Sequence, residues 1–214
     1  MIPAKKITFK NRFRGFLPVV IDVETGGLNA QTDALLEIAA VMVKMDETGV
    51  LSRGETISCH VAPFEGGLLC PKSLEITRID PYHPFRFAKS EADALEMIFA
   101  PIIAAIKEHR CHRAVLVGHN SWFDLAFIKA AVARAGLKHS PFHQFTSLDT
   151  ATLSALVYGE TVLSKALAKA GYEFDAAEAH SAIYDAEKTA DLFCTIFNRW
   201  LNLSSSAFSA GEII

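Results

Sequence analysis

The run from Phe16 to Val23 is apolar and β-branched, broken only by Pro18 and Asp22, and is closed by Glu24 and the turn Thr25-Gly26-Gly27. A stretch of this length and makeup reads as a buried strand. It asks for a sheet with cover on both faces. Residues two apart on a strand share a face, so Asp22 and Glu24 project together from the end of a hydrophobic element. Two like charges that close on a half-buried surface are unfavourable without a cation. Either the strand simply ends in solvent, or the pair belongs to a divalent-metal site, where oxygen-only ligands suit Mg²⁺ or Mn²⁺.

The rest of the chain supplies partners for this strand. Leu35 to Met45 and the alternating segment Glu55 to Val61 predict two more strands, with Asp46-Glu47-Thr48-Gly49 as the turn between them. Connections this short predict an antiparallel meander. Residues 63–89 hold Pro63, Pro71, Pro81 and Pro84 and no long period, which predicts a long loop with a helical turn, a kind of segment that is often functional. Ser90-Glu91-Ala92-Asp93 opens a helix with a capping-box pattern that runs to Ile106, and Pro101 is expected to kink or split it. Ala114 to Gly118 predicts a fourth strand, residues 121–135 a helix, Phe145 to Leu148 a fifth strand, and residues 150–157, 161–170 and 181–201 three more helices. The expected architecture is α/β, a mixed five-stranded sheet with helices on both faces. It forms one domain over residues 1–203, with a basic arm at 1–15 and a frayed tail at 204–214. Sites in such sheets sit at the carboxyl ends of strands.

Composition narrows the function classes. Half of the 214 residues are hydrophobic and 21% are charged, which excludes a disordered or collagen-like chain. No apolar stretch approaches the ~18 residues of a spanning helix, and the N-terminus lacks a secretory pattern, so no membrane association is expected. Cys59, Cys70, Cys111 and Cys194 form no CxxC pair, which argues against a zinc knuckle or redox motif and for buried thiols in a reducing cytosol. No GxGxxG follows a strand, which excludes a dinucleotide-binding dehydrogenase. The net charge of −3 does not by itself point to nucleic acid. Its distribution is more informative: Lys5, Lys6, Lys10, Arg12 and Arg14 interleave with Phe9 and Phe13 and no acid intervenes. That segment is either a solvated arm or a phosphate-gripping patch.

Two further carboxylates stand beside predicted element ends. In His119-Asn120-Ser121-Trp122-Phe123-Asp124, the Ser121–Asp124 spacing fits a capping box, so Asp124 either stabilises a helix start or supplies a third carboxylate at the strand end. In His180-Ser181-Ala182-Ile183-Tyr184-Asp185, positions five apart on one helix are ~140° apart and cannot face one site. If Ser181 caps the helix instead, His180 precedes it, Asp185 falls in its first turn, and the two converge.

The ordered set Asp-x-Glu, Asp and His-x₄-Asp resembles the three motifs of the DEDDh branch of the DnaQ-like 3′–5′ exonuclease superfamily. Asp33 to Ala40, Pro63-Phe64-Glu65-Gly66 and Thr161 to Ala166 are also similar to members of that branch, and the resemblance spans residues 12–200. It implies a ribonuclease H-like fold and release of nucleoside 5′-monophosphates from 3′ ends with two divalent cations, Mg²⁺ or Mn²⁺. It makes Asp22, Glu24, Asp124 and Asp185 the metal ligands and His180 the general base. Cations ~3.5–4 Å apart hold attacking and leaving oxygens in line, and an imidazole of pKa ~6.5 suits a base near neutrality.

The resemblance also implies that Phe123 and Phe145 stack on the terminal bases. Two other stacking positions of the branch fall on Leu28 and Ile76, and a glutamate that reads the terminal base falls on Lys72, so base preference at the 3′ end is expected to be weaker or different. Similar enzymes are homodimers in which one subunit's basic patch serves the other's site, and Arg12, Arg14, Lys107, Arg113 and Lys138 are the candidates for it. The expected activity is trimming of tRNA and other stable RNAs, with single-stranded DNA 3′ overhangs as further substrates, in the cytoplasm. A DNA proofreading or repair exonuclease shares the same five residues. A non-catalytic nucleic-acid-binding module has no need of them.

Overall fold

The computed structural model describes residues 7–209, with side chains described to residue 203. Strands β1 (Phe16–Thr25), β2 (Leu35–Met45) and β3 (Leu51–His60) form the antiparallel meander. Strands β4 (Arg113–Gly118) and β5 (Phe142–Asp149) join in parallel, giving the order β3-β2-β1-β4-β5. β1 is central and buried, as its apolar run requires. Pro18 precedes the first β1–β2 pair at Val19, so no ladder bond is lost on that side.

Seven helices complete the described residues: α1 (Phe9–Arg12), α2 (Pro71–Thr77), α3 (Glu91–Glu108), α4 (Trp122–Arg134), α5 (Thr150–Tyr158), α6 (Leu163–Ala170) and α7 (Ala182–Ser209). α7 lies across β1, β2 and β3, while α3 and α4 pack together on the other face. α5 and α6 pack against α7, where Ala166, Leu167, Leu192 and Ile196 make a small second core. No helix among the described residues is long and apolar enough to cross a membrane.

Several expectations need correction. α3 is one helix through Pro101 rather than two. Its buried stripe of Ala94, Leu95, Ile98, Phe99 and Ile102 continues past the proline, and burial on both sides outweighs one missing backbone bond. β3 starts at Leu51 and β5 at Phe142, each earlier than alternation alone indicates. Residues 63–89 hold α2 and a 3₁₀ turn at Pro84–Arg86. α7 continues to Ser209, so the expected frayed tail is helical over 204–209, where neither proline nor glycine interrupts it; residues 210–214 lie outside the described residues. The thiols of Cys59 and Cys194 are buried, but Cys70 is exposed and Cys111 half-buried.

The N-terminal segment is docked, not solvated. Lys5 and Lys6 lie outside the described residues. Phe9 is only 2% exposed and meets His109 edge-on, and Phe13 packs against Phe193 and Phe197 of α7. The Arg12 guanidinium donates to the carbonyls of Gly49 and, at 3.1 Å, Phe197. Arg12 thus ties the segment to the β2–β3 turn and to α7, which takes its charged head away from a role as a free surface cation.

Candidate active site

β1 outruns its neighbour β4: their pairing ends at Val20 and Val117, while β1 continues to Thr25. On that side the Val23 N–H lacks a ladder partner, and a buried donor must find one. Asp124 supplies it, its Oδ1 accepting from Val23 N at 3.1 Å. The expected capping box at Ser121 does not form. Ser121 is itself helical and makes no side-chain cap bond, and its hydroxyl pairs with that of Ser147 on β5 at 2.9 Å. Asp124 therefore reaches β1 from the first turn of its helix, where its carboxyl also meets its own backbone N–H. Gly118 makes room for this, because a Cβ there would come within 2.9 Å of Asp124 Oδ2.

The turn between β4 and α4 is fixed from outside. Asn120 takes a left-handed conformation (φ 64°), and its N–H donates to Asp149 Oδ1 at 2.8 Å. His119 bridges Thr150 Oγ1 (2.9 Å) and the Thr161 carbonyl (2.8 Å), and burial lowers its pKa. The motif residues His119 and Asn120 thus hold the turn that presents Asp124.

His180 and Asp185 converge as the capped alternative required. His180 has φ 65°, outside the helix, and its backbone N–H donates to Asp185 Oδ2 at 3.0 Å in the first turn of α7. Ligand atoms of Glu24, His180 and Asp185 lie within 4.8 Å of one another. Asp185 Oδ1 is buried and has no hydrogen-bond partner. Glu24 is buried beside it.

The electrostatics match this crowding. Burial, and then Asp124, Glu24, Asp185 and Glu37, hold the Asp22 carboxyl well above the usual carboxylate range. Burial and the charges of Asp185, Glu37 and Asp124 push Glu24 up to about 8. Burial also pushes Asp124 to about 8, against the pull of its backbone hydrogen bonds. Asp185 is raised by burial and pulled back by His180. Four acids at one strand end, with an orphaned oxygen and a nearby imidazole, could hold a hard divalent cation.

The remaining sequence candidates divide between the two ends of the sheet. Phe123 follows Trp122 in the first turn of α4, directly beside Asp124, and is partly buried against the core. Leu28 is 83% exposed in the connection after β1. Lys72 and Ile76 are exposed on α2, whose entry is anchored where Cys70 N donates to the Gly26 carbonyl at 2.6 Å. Gly26 permits this approach, since a Cβ would meet the Leu68 carbonyl at 2.7 Å. Phe145 is 85% exposed, with Lys129 Nζ 5.8 Å from its ring centre. Arg14, Lys107, Arg113 and Lys138 are exposed at the other end, beside the amino ends of the parallel strands: Arg113 pairs with Phe16, where β1 begins. Eight residues of strand, ~26 Å at ~3.3 Å each, separate that pair from Glu24.

Sequence reading missed two neighbours of the site. Trp122 is 68% exposed and stands edge-on to Phe123, yet it is masked among the apolar residues of α4. Glu37 faces Glu24 across the β1–β2 ladder and pairs with His60 at 2.9 Å, which only strand register reveals.

The chain is similar to known proteins along most of its length. The family model described as Exonuclease matches residues 19–193. The ribonuclease T of Marinobacter nauticus (strain ATCC 700491 / DSM 11845 / VT8) is 59% identical over 192 residues, 90% of this chain and 87% of that protein. The ribonuclease T of Hahella chejuensis (strain KCTC 2396) is 54% identical over 92% of this chain and 91% of its own. Among solved structures, the nuclease domain of 3′hExo, a DEDDh family member bound to rAMP, superposes with a TM-score of 0.65 at 19% identity, over 85% of this chain and 92% of that one. E. coli exonuclease I in complex with a dT13 oligonucleotide gives 0.65 at 18% identity over 90% of this chain, which spans only 43% of that protein. These two likenesses establish the ribonuclease H-like fold. Matched over most of its length by the family model and by relatives 54% and 59% identical, the chain belongs to the exonuclease family.

Proposed function

We propose that this exonuclease is a 3′–5′ exoribonuclease that trims tRNA and other stable RNAs, releasing nucleoside 5′-monophosphates. The carrying observation is the convergence of Glu24, Asp185 and His180 beside Asp22 and Asp124, with Asp185 Oδ1 buried and unpartnered. Asp22, Glu24, Asp124 and Asp185 would hold two divalent cations, Mg²⁺ or Mn²⁺. Such ions, when bound, lower the pKa of water and offset charge on a reacting phosphate. His180 takes the proton of the attacking water at a ring nitrogen, and its left-handed backbone, pinned by Asp185, directs the imidazole into the cluster.

Phe123, with Phe145, Leu28 and Ile76, supplies the base-contacting surface, and Lys72 supplies a cation where a base-reading carboxylate is otherwise expected. Stacking carries no demand for a 2′-hydroxyl, so single-stranded DNA 3′ overhangs are substrates too. The relatives named ribonuclease T support RNA as the principal substrate. Arg14, Lys107, Arg113 and Lys138 are too far along the sheet to reach their own carboxylates, which supports a homodimer in which each copy grips RNA for the other. The setting is the cytoplasm, in keeping with four free cysteines. Chromatography of products from a 3′-labelled RNA tests the reading: labelled nucleoside 5′-monophosphate, lost in EDTA, is expected, and internal fragments or EDTA-resistant release would contradict it.

A further inference from the structure

Beside the carboxylate cluster, and sharing His180 and Ser181 as a wall, lies a second cavity of about 370 Å³. That is the size range of ligand pockets. Its other side is built by Thr77, Arg78, His83 and Arg86 from the end of α2 and the turn after it. Two acids, Glu37 and Asp80, also face it. Each has a partner: Glu37 contacts His60 at 2.9 Å, Asp80 Oδ1 accepts from Tyr82 N at 3.1 Å, and the positive charge of Arg86 acts on both. The Arg86 guanidinium is committed to the carbonyls of Leu36 (2.7 Å) and Pro81 (3.2 Å).

Arg78 is different. It is exposed and makes no side-chain hydrogen bond or ion pair with any described residue. It also occupies the left-handed C-cap of α2 (φ 57°), its N–H donating to the Leu74 carbonyl at 2.8 Å. That conformation favours glycine or asparagine, so arginine there is a local cost with no internal return. A long, uncommitted cation lining a cavity that shares His180 with the cluster fits a phosphodiester.

We propose that this cavity is a second phosphate subsite, in which Arg78 binds a backbone phosphate of the substrate strand next to the reacting one. The proposal rests on the exoribonuclease reading. Its test is steady-state kinetics on a short single-stranded RNA for the parent, Arg78→Ala, Arg78→Gly and Arg78→Lys. Arg78→Ala and Arg78→Gly are expected to raise KM about five- to tenfold with kcat within about twofold. The dependence of log KM on log salt should become shallower by about 0.7, the signature of one lost phosphate contact on a single strand. Arg78→Lys should restore most of that slope. Arg78→Gly suits the left-handed cap, so its Tm should not fall, which separates weakened binding from unfolding. An active parent whose Ala and Gly variants keep KM and salt slope overturns the subsite alone. A parent that never shortens RNA overturns the exoribonuclease reading first.

Discussion

Asp124 meets two demands at once: it satisfies a strand N–H that no neighbouring strand reaches, and it brings a third carboxylate to Asp22 and Glu24. Removing charge from such a cluster affects both stability and turnover. Glu24 and Asp124 titrate near 8 in the folded chain and near ~4 when unfolded, so the folded state binds more protons across that interval. Metal-free protein should therefore be most stable below pH ~4–5 as far as these groups are concerned, and should lose stability as pH rises towards 8. The loss should appear as a Tm lower by several degrees at the higher pH. Thermal melts at pH 5.5 and 8.5 in EDTA check this, and Mn²⁺ should recover Tm chiefly at the higher pH. Unchanged melts would mean the carboxylates are not crowded. Asp22→Asn should lower turnover at least about a hundredfold, ~2.7 kcal/mol of barrier. His180→Ala should lower it about 10²–10⁴-fold while leaving Mn²⁺ affinity close to normal. Matching loss of affinity would make His180 a ligand and not the base.

Strand pairing, more than helix geometry, decides what the elements present. β5 pairs Phe142 with Ala114 and Ser147 with Leu116, so the intervening residues bulge from the ladder. His143 Nδ1 accepts from the N–H groups of Phe145 and Thr146 and locks that bulge, which leaves Phe145 in solvent. Phe145→Ala should then raise KM for single-stranded RNA about five- to hundredfold, the ~1–3 kcal/mol of one stacked base, without changing Tm. A fall in Tm with unchanged KM would make the ring structural. The bulge explains why only Phe145 to Leu148 was legible as a strand. By contrast, β1, β2 and β4 were readable almost to the residue, because continuous apolar runs leave one solution. The paired motifs were legible as carboxylates at element ends. What a sequence could not decide was direction: Ser121–Asp124 has the spacing of a cap, and only the length difference between β1 and β4 turns Asp124 the other way. Arg12 misled for a similar reason, since the carbonyls that hold it come from Gly49 and Phe197, far away in the chain.

At the scale of the molecule, acid and base lie at opposite ends of one sheet. The carboxylates gather where β1 ends, and Arg113 stands where it begins, with Arg14, Lys107 and Lys138 near that edge. In the proposed dimer, a polyanion held by the basic end of one copy reaches the carboxylate cluster of the other. Mixing Asp22→Asn protein with a Lys107→Ala, Arg113→Ala, Lys138→Ala variant should recover part of the activity that neither shows alone. No recovery, with a monomer mass by light scattering, would rule out the dimer. Metal-dependent trimming of RNA from the 3′ end is tested by a paired digestion, with Mg²⁺ and with EDTA, of 5′-labelled RNA and DNA hairpins carrying short 3′ overhangs, with Asp22→Asn protein alongside. Stepwise, Mg²⁺-dependent shortening of the RNA that stops near the duplex and is absent from the variant is expected. Shortening of DNA alone, or binding with no shortening in either condition, would contradict it.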